Sequence, residues 1–325
     1  MPVLSIVLVV HGEQAFIEDC AASVLDQEGS ADVELIAIDD ASPDHGPDVL
    51  DRLAERDPRV RVEHLDERVG LGAARNIGLD IASGDYVWFV GTTDRLPEGA
   101  VASVLSSLRE THADLLLVHH ARLGALGRER SGPHRKALAA AAKQGPGPLA
   151  QHPALAHAAP RAWNKVFRRA LIRDRRFGPA GHGELTVTWP ALLDAERIAA
   201  LPEKSYERRR PANATPEPDG PFDVFAQYDS VLEIAGERAS LVAPAMLRHL
   251  RSLLGSVPGD QRREFFHRMS SYYSRFDAPG RSAKLIAADR YAAFRALEEA
   301  RDARGKLGRA RRALRRKASS AKGRR

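Results

Sequence analysis

Asp39-Asp40-Ala41-Ser42, Gly70-Leu71-Gly72-Ala73-Ala74-Arg75-Asn76 and Gly91-Thr92-Thr93-Asp94 follow one another in the first third of this 325-residue chain. The aspartate pair can accept hydrogen bonds from the ring N–H of a uracil or guanine, or from ribose hydroxyls. The same residues are good turn formers and would also cap a helix beginning near Pro47. In the second stretch the glycines, Gly72 among them, let backbone approach a ligand closely, and a helix start offers unpaired N–H groups to an anion. Arg75 can reach a phosphate or a base edge, and Gly78 permits tight helix–sheet packing. Order and spacing predict a nucleotide site at the carboxyl edge of a parallel sheet.

Such a site needs strands that all end on one side. Leu4–Val10, Val33–Ile38, Val60–His64 and Tyr86–Val90 read as short buried strands, and Leu115–His119 as a further one. Helical spacing separates them over Gln14–Leu25, Pro47–Glu55 and Ala73–Ala82, the pattern of crossover units in a mostly parallel sheet. A Gly-, Pro- and Ala-rich stretch from Gly124 to Pro160 mixes a helix over Lys136–Lys143 with loop. Trp163–Ile172 and Thr186–Ala195 read as helices. Ile198–Leu201 reads as strand-like, followed by a turn at Tyr206. Residues 222–300 carry helical periodicity with few glycines. The expected division is 1–211 (a nucleotide half over 1–100 and an acceptor half over 101–211), a helical extension over 212–300 and a basic tail over 301–325, disordered or marginally helical.

A hydrophobic content of 43% supports one large core. The single cysteine, Cys20, excludes an internal disulfide framework and fits a reducing compartment. No apolar run approaches the roughly 20 residues that cross a bilayer, and a cytoplasmic location is expected. The net charge of +6 is unevenly placed: the final 25 residues hold twelve Lys or Arg and one acid, whereas residues 1–300 carry 37 basic and 42 acidic groups. The tail would draw the protein to an anionic membrane face, each cation contributing about 1 kcal/mol. Nucleic acid ranks below lipid as its partner, since no aromatic residues interleave with the charge.

From Val3 to about Pro211 the chain resembles the family 2 glycosyltransferases, α/β proteins of GT-A fold. The resemblance rests on Leu4–Val10, Asp39-Asp40-Ala41-Ser42-Pro43-Asp44, Gly70–Gly78, and Gly84–Val90 leading into Asp94-Arg95-Leu96-Pro97. It continues through Trp163-Asn164-Lys165-Val166-Phe167-Arg168-Arg169 and Thr186–Ile198. It implies transfer of a sugar from a nucleoside diphosphate donor to an acceptor hydroxyl, usually with inversion. Asp39 or Asp40 would hold the base, Arg75 would support the nucleotide, and Asp94 would lie near ribose or diphosphate. Trp163, Asn164 and Lys165 would line the acceptor side; Trp163 and Phe167, four apart, would also share a helix face.

Two departures stand out. Where the family writes Asp-x-Asp-Asp, whose acids grip Mg²⁺ or Mn²⁺, this chain has Gly91-Thr92-Thr93-Asp94, leaving Asp94 as the one metal-binding candidate. Where the family places Glu-Asp with its general base, the chain has His182-Gly183-Glu184. Glu184 is then the base candidate and His182 the alternative. If the metal is lost, Arg208, Arg209 and Arg210 are cations that can stabilise the leaving diphosphate. His119-His120 lacks neighbouring ligands at metal spacing and reads as structural or acceptor-facing. Two functions follow: a glycosyltransferase of envelope polysaccharide or teichoic-acid-type glycan using a glycan or lipid-linked acceptor, or a catalytically weakened GT-A domain serving as a nucleotide- or glycan-binding scaffold.

Overall fold

The structure, a computed structural model, describes residues 2–124, 129–158, 160–179, 182–209, 220–276, 280–301 and 303. These fall into two compact units divided between Met246 and Leu247.

The first unit is built on one sheet. Its opening half alternates strand and helix: β1 (Leu4–Val10), α1 (Gln14–Leu25), β2 (Val33–Asp39), α2 (Gly46–Arg56), β3 (Val60–His64), α3 (Leu71–Ile81), β4 (Tyr86–Gly91) and α4 (Ala100–Thr111). There follow β5 (Leu115–Leu123), β6 (Glu129–Ser131), α5 (Arg135–Gln144), β7 (Lys165–Arg168), α6 (Arg169–Ile172), α7 (Leu185–Asp194), β8 (Ile198–Arg209) and α8 (Asp223–Ala235). The strands run in the order β3-β2-β1-β4-β7-β5-β6, with β8 beside β5. Pairings β1/β2, β1/β4, β2/β3 and β5/β8 are parallel, and those of β7 and β6 antiparallel. This is the mixed α/β, mostly parallel architecture expected.

Both faces of the central strands are covered, so β1 reads as a continuous apolar run and Ile6, Val7 and Leu8 are all buried. Of the apolar residues of α1, Ile17, Cys20, Val24 and Leu25 face the sheet. At the amino-terminal edge of the strands the buried Glu34 accepts bonds from Ser5 Oγ (2.5 Å), Ser83 N–H (2.7 Å) and Gly84 N–H (3.2 Å). That carboxylate fastens β1, β2 and the entry to β4, leaving the opposite edge for loops. There, α3 begins after Gly70, whose φ of +87° suits a residue without Cβ.

Two expected elements differ. Trp163–Ile172 is not one helix: residues 165–168 form β7, inserted antiparallel between β4 and β5, and only Arg169–Ile172 is helical. Phe167 therefore packs within the sheet, 6.1 Å from Phe89, and shares no helix face with Trp163. Nor does the chain turn at Tyr206. Ile198–Arg209 is a single strand that stays with β5 through register shifts at Val118/His119 and His119/His120.

The first unit ends within α9 (Ala239–Leu254). The second contains α10 (Arg262–Arg275), α11 (Arg281–Ala287) and a helical stretch over 291–301. Phe266 centres its core, with the rings of Tyr291 and Phe294 at 5.2 and 5.3 Å. Glu298 accepts from Arg251 (2.8 Å) and Arg301 (3.1 Å). Most of the basic tail lies outside the described residues. No described helix is long and apolar enough to cross a membrane.

The tightness of the helix–sheet contact is testable at Gly78, where a Cβ would stand 2.4 Å from Val7 Cγ1. Gly78→Ala is expected to lower stability by about 1–3 kcal/mol through overpacking, read as a shifted urea midpoint. An unchanged midpoint would refute that packing.

Candidate functional site

The carboxyl edge collects the residues singled out from the sequence. Asp39 ends β2 and is buried. Its Oδ1 accepts the Ser42 N–H at 3.0 Å, and its Oδ2 lies 3.0 Å from His64 Nδ1. His64 ends β3, and its Nε2 reaches Asp51 at 3.1 Å. Burial pushes the Asp39 carboxyl upward, but the bonds from Ser42 and His64 outweigh it and hold the group below its ordinary value. Asp40 does different work: its two oxygens accept the N–H groups of Val69 (2.7 Å) and Gly70 (3.0 Å), pinning the start of α3.

Arg75 is carried inward by α3. Its guanidinium lies 5.4 Å from the Phe177 ring centroid and 3.6 Å from Glu184. Gly72 sits so close to the neighbouring loop that a Cβ there would meet Gly178 O at 2.1 Å. The glycine thus serves backbone packing as well as the opening of α3.

Asp94 is buried with both oxygens engaged. Tyr206 donates its hydroxyl to Oδ2 (2.7 Å), and Arg209 its backbone N–H to Oδ1 (2.8 Å). Burial pushes its pKa up in spite of these bonds. Gly91 donates its N–H to Tyr206 Oη at 3.1 Å, and a Cβ at Gly91 would stand 3.0 Å from Asp94 Oδ2. The carbonyl of Thr93 accepts from Arg209 Nε at 2.6 Å. Arg209 also pairs with Asp19. A hard divalent ion here would find Asp94 with each oxygen already accepting a hydrogen bond, beside the Arg209 guanidinium. The residues present do not fit Mg²⁺ or Mn²⁺. Among the described residues no group of three or more His, Cys, Asp and Glu could hold a metal.

Glu184 immediately precedes α7. Its Oε2 accepts the Ala162 N–H at 2.5 Å, and Arg161 Nη1 lies 3.3 Å from Oε1. Burial raises its pKa, but Arg75, Arg161 and the Ala162 N–H overcome that and hold it low. His182 lies two residues earlier, its carbonyl accepting the Leu185 N–H at 3.0 Å. Lys165 is fully buried; its Nζ donates to Ala158 O (2.8 Å), Arg161 O (2.5 Å) and Asn164 Oδ1 (2.6 Å). Burial pushes its pKa down to about 7 against the pull of Glu184. Asn164 donates to Ala158 O at 3.2 Å. Trp163 is 8% exposed, stacked on Tyr206 at 5.0 Å and edge-on to His120 at 4.6 Å. Arg208 lies 5.5 Å over the same indole. Arg210 lies outside the described residues.

The structure thus brings Arg75, Glu184 and the Trp163–Lys165 segment together, and places Asp94 with β8. Three participants had not been singled out: Arg161, Tyr206 and His64. Tyr206 is 112 residues from its partner Asp94, so no local spacing could announce it.

The mostly parallel sheet thus carries acids, a glycine-rich helix start and the buried Glu184 at its carboxyl edge. Residues 5–156, a little under half of the chain, match the model "Glycosyl transferase family 2". In sequence the chain is similar to the uncharacterised glycosyltransferase EpsJ of Bacillus subtilis, 27% identical over 67% of this chain and 64% of that protein. It is likewise similar to the GalNAc(5)-diNAcBac-PP-undecaprenol beta-1,3-glucosyltransferase of Campylobacter jejuni, 25% identical over 59% of this chain and 60% of that one. The chain spans less than two thirds of the length of the curated relatives it matches. In fold it resembles S. aureus TarS 1-349, solved in complex with UDP-GlcNAc: TM-score 0.73, 18% identity, 93% of this chain and 92% of that one.

His64 gives a pH test. Its two carboxylate partners overcome the opposing effect of burial and raise its pKa above 6.5. A raised histidine stabilises below its unfolded value, and that contribution disappears as pH rises through the folded one. His64→Gln should therefore lower the melting temperature more at about pH 5.5 than at about pH 8.5. An equal loss at both would show that the pairs carry no charge.

Proposed function

We propose that this chain transfers a sugar from a nucleoside diphosphate donor to an acceptor hydroxyl during assembly of a cell-envelope glycan. The observation that carries the reading is the 3.6 Å approach of Arg75 to Glu184, which joins the helix of the nucleotide half to the helix start of the acceptor half. Asp39 and the β2 edge would meet the base and ribose, and Arg75 would support the nucleotide. Glu184 would take the proton from the acceptor hydroxyl as its oxygen bonds to the anomeric carbon and the bond to the diphosphate breaks. A single base acting opposite the leaving group yields inversion. For this, Glu184 must exchange a present donor for the acceptor; Arg161, with its side chain 40% exposed, is the partner free to move.

The undecaprenol-linked substrate in the name of the Campylobacter relative supports a lipid-linked acceptor. Twelve cations in the final 25 residues support placement at an anionic membrane face. The engaged oxygens and lowered pKa of Glu184 favour a second reading, a domain that binds nucleotide or glycan and scaffolds a partner without turnover.

Incubation with a panel of UDP- and GDP-sugars and an undecaprenyl-linked acceptor should release nucleoside diphosphate. Glu184→Gln is expected to lower turnover by about 10²–10⁴-fold while nucleotide binding persists. Full turnover in that variant would remove Glu184 as the base. Nucleotide binding with no turnover by the unmodified chain would favour the scaffold.

A further inference from the structure

Resting on the nucleotide reading above, the donor end poses a charge problem: a diphosphate must be neutralised where no metal fits. Asp94 is committed to Tyr206 and Arg209, and Arg209 is itself engaged by Thr93, Asp94 and Asp19. The adjacent residue behaves differently. Arg208 is exposed, and among the described residues no carboxylate lies in ion-pair range of it. The Arg209 backbone bond to Asp94 holds Arg208 beside the β4 edge, while the Ala162 N–H bond to Glu184 holds the backbone next to Arg161 and leaves its half-exposed side chain able to turn from the carboxylate. The two guanidiniums flank the same segment: Arg208 overlies the Trp163 ring, and Arg161 is two residues away in the chain.

A third cation joins them. Arg122 on β5 is the register partner of Arg208 on β8, and both are exposed. Like charges placed across neighbouring strands repel and destabilise. Burial against the indole is the main influence pushing the Arg208 pKa down; the charge of Arg161, and less so that of Arg122, act the same way, against Asp94 and Tyr206. Such an arrangement is relieved by an anion, and guanidiniums present paired donors matched to phosphate oxygens.

We propose that Arg208 and Arg161, flanked by Arg122, bind the diphosphate of the donor in place of a divalent cation, so that this chain handles its nucleotide without metal. On departure the diphosphate leaves with the electron pair of the broken glycosidic bond, and the guanidiniums stabilise that charge by hydrogen bonding.

The test is calorimetric titration of the full chain with UDP, GDP, UMP and GMP, each in EDTA and in MnCl₂. The expected result is binding of a diphosphate with affinity changed less than about three-fold by Mn²⁺. Arg208→Gln should weaken that diphosphate by about ten-fold or more, the effect of one charged hydrogen bond, and its monophosphate far less. Arg208→Lys should retain most of the affinity. Melting temperatures of both variants report that they are folded. Diphosphate binding that Mn²⁺ strengthens ten-fold or more, or an unchanged diphosphate-to-monophosphate ratio in folded Arg208→Gln, would overturn the inference and leave the functional reading standing. Failure to bind any nucleotide in either medium would overturn both.

Discussion

A buried carboxylate between two guanidiniums holds the site together. Glu184 sits where desolvation would drive it neutral, and Arg75, Arg161 and the Ala162 N–H keep it ionised. Removing one partner of such a buried pair costs about 3–5 kcal/mol, because the remaining charge is stranded. The contact therefore constrains α3, the 161–162 turn and the start of α7 at once. Lys165 depends on the same turn, since its ammonium is held by the carbonyls of Ala158 and Arg161.

The sheet works with its two edges treated differently. At the amino-terminal edge Glu34 is satisfied by hydroxyl and backbone donors from two segments, β1 and the 83–84 turn. At the carboxyl edge the acids end strands and meet loops. Asp39 leans on His64, Asp40 restrains the glycine-rich loop, and Asp94 anchors a strand that arrives more than a hundred residues later. The return of β8 is what changes the character of this edge around Asp94. It brings a phenol and two arginines to a place where acids alone would favour a metal ion.

Much of this was legible in the chain. β1, β2 and β4 are covered on both faces, so their apolar runs are dense and bounded by turn residues. Asp39, Asp40 and Arg75 declare themselves because each stands at the junction of a run and a turn. The failures have physical causes. Lys165–Arg168 is inserted between two strands and buries both Val166 and Phe167, so its sequence carries no alternation, and the spacing of Trp163 and Phe167 imitated a helix. In β8, Pro202 and Lys204 interrupt the pattern where the pairing with β5 shifts. The partners of Asp94 and Glu184 come from elements far away along the chain, and single-chain patterning contains no record of such meetings. Adjacent identity also conceals divergence: Arg208 and Arg209 look alike in sequence, yet one is spent on holding the fold and the other is left open.

The bare backbone at Gly91 limits what can be placed there. An acid introduced there alone would crowd Asp94 Oδ2 and set a second negative charge against a carboxylate already held by Tyr206 and Arg209. Those two partners must first let go, and each step of that path loosens β8 before anything is gained. The backbone at position 91 is thus tied to the same partners that hold β8, and a larger residue there is resisted by its neighbours.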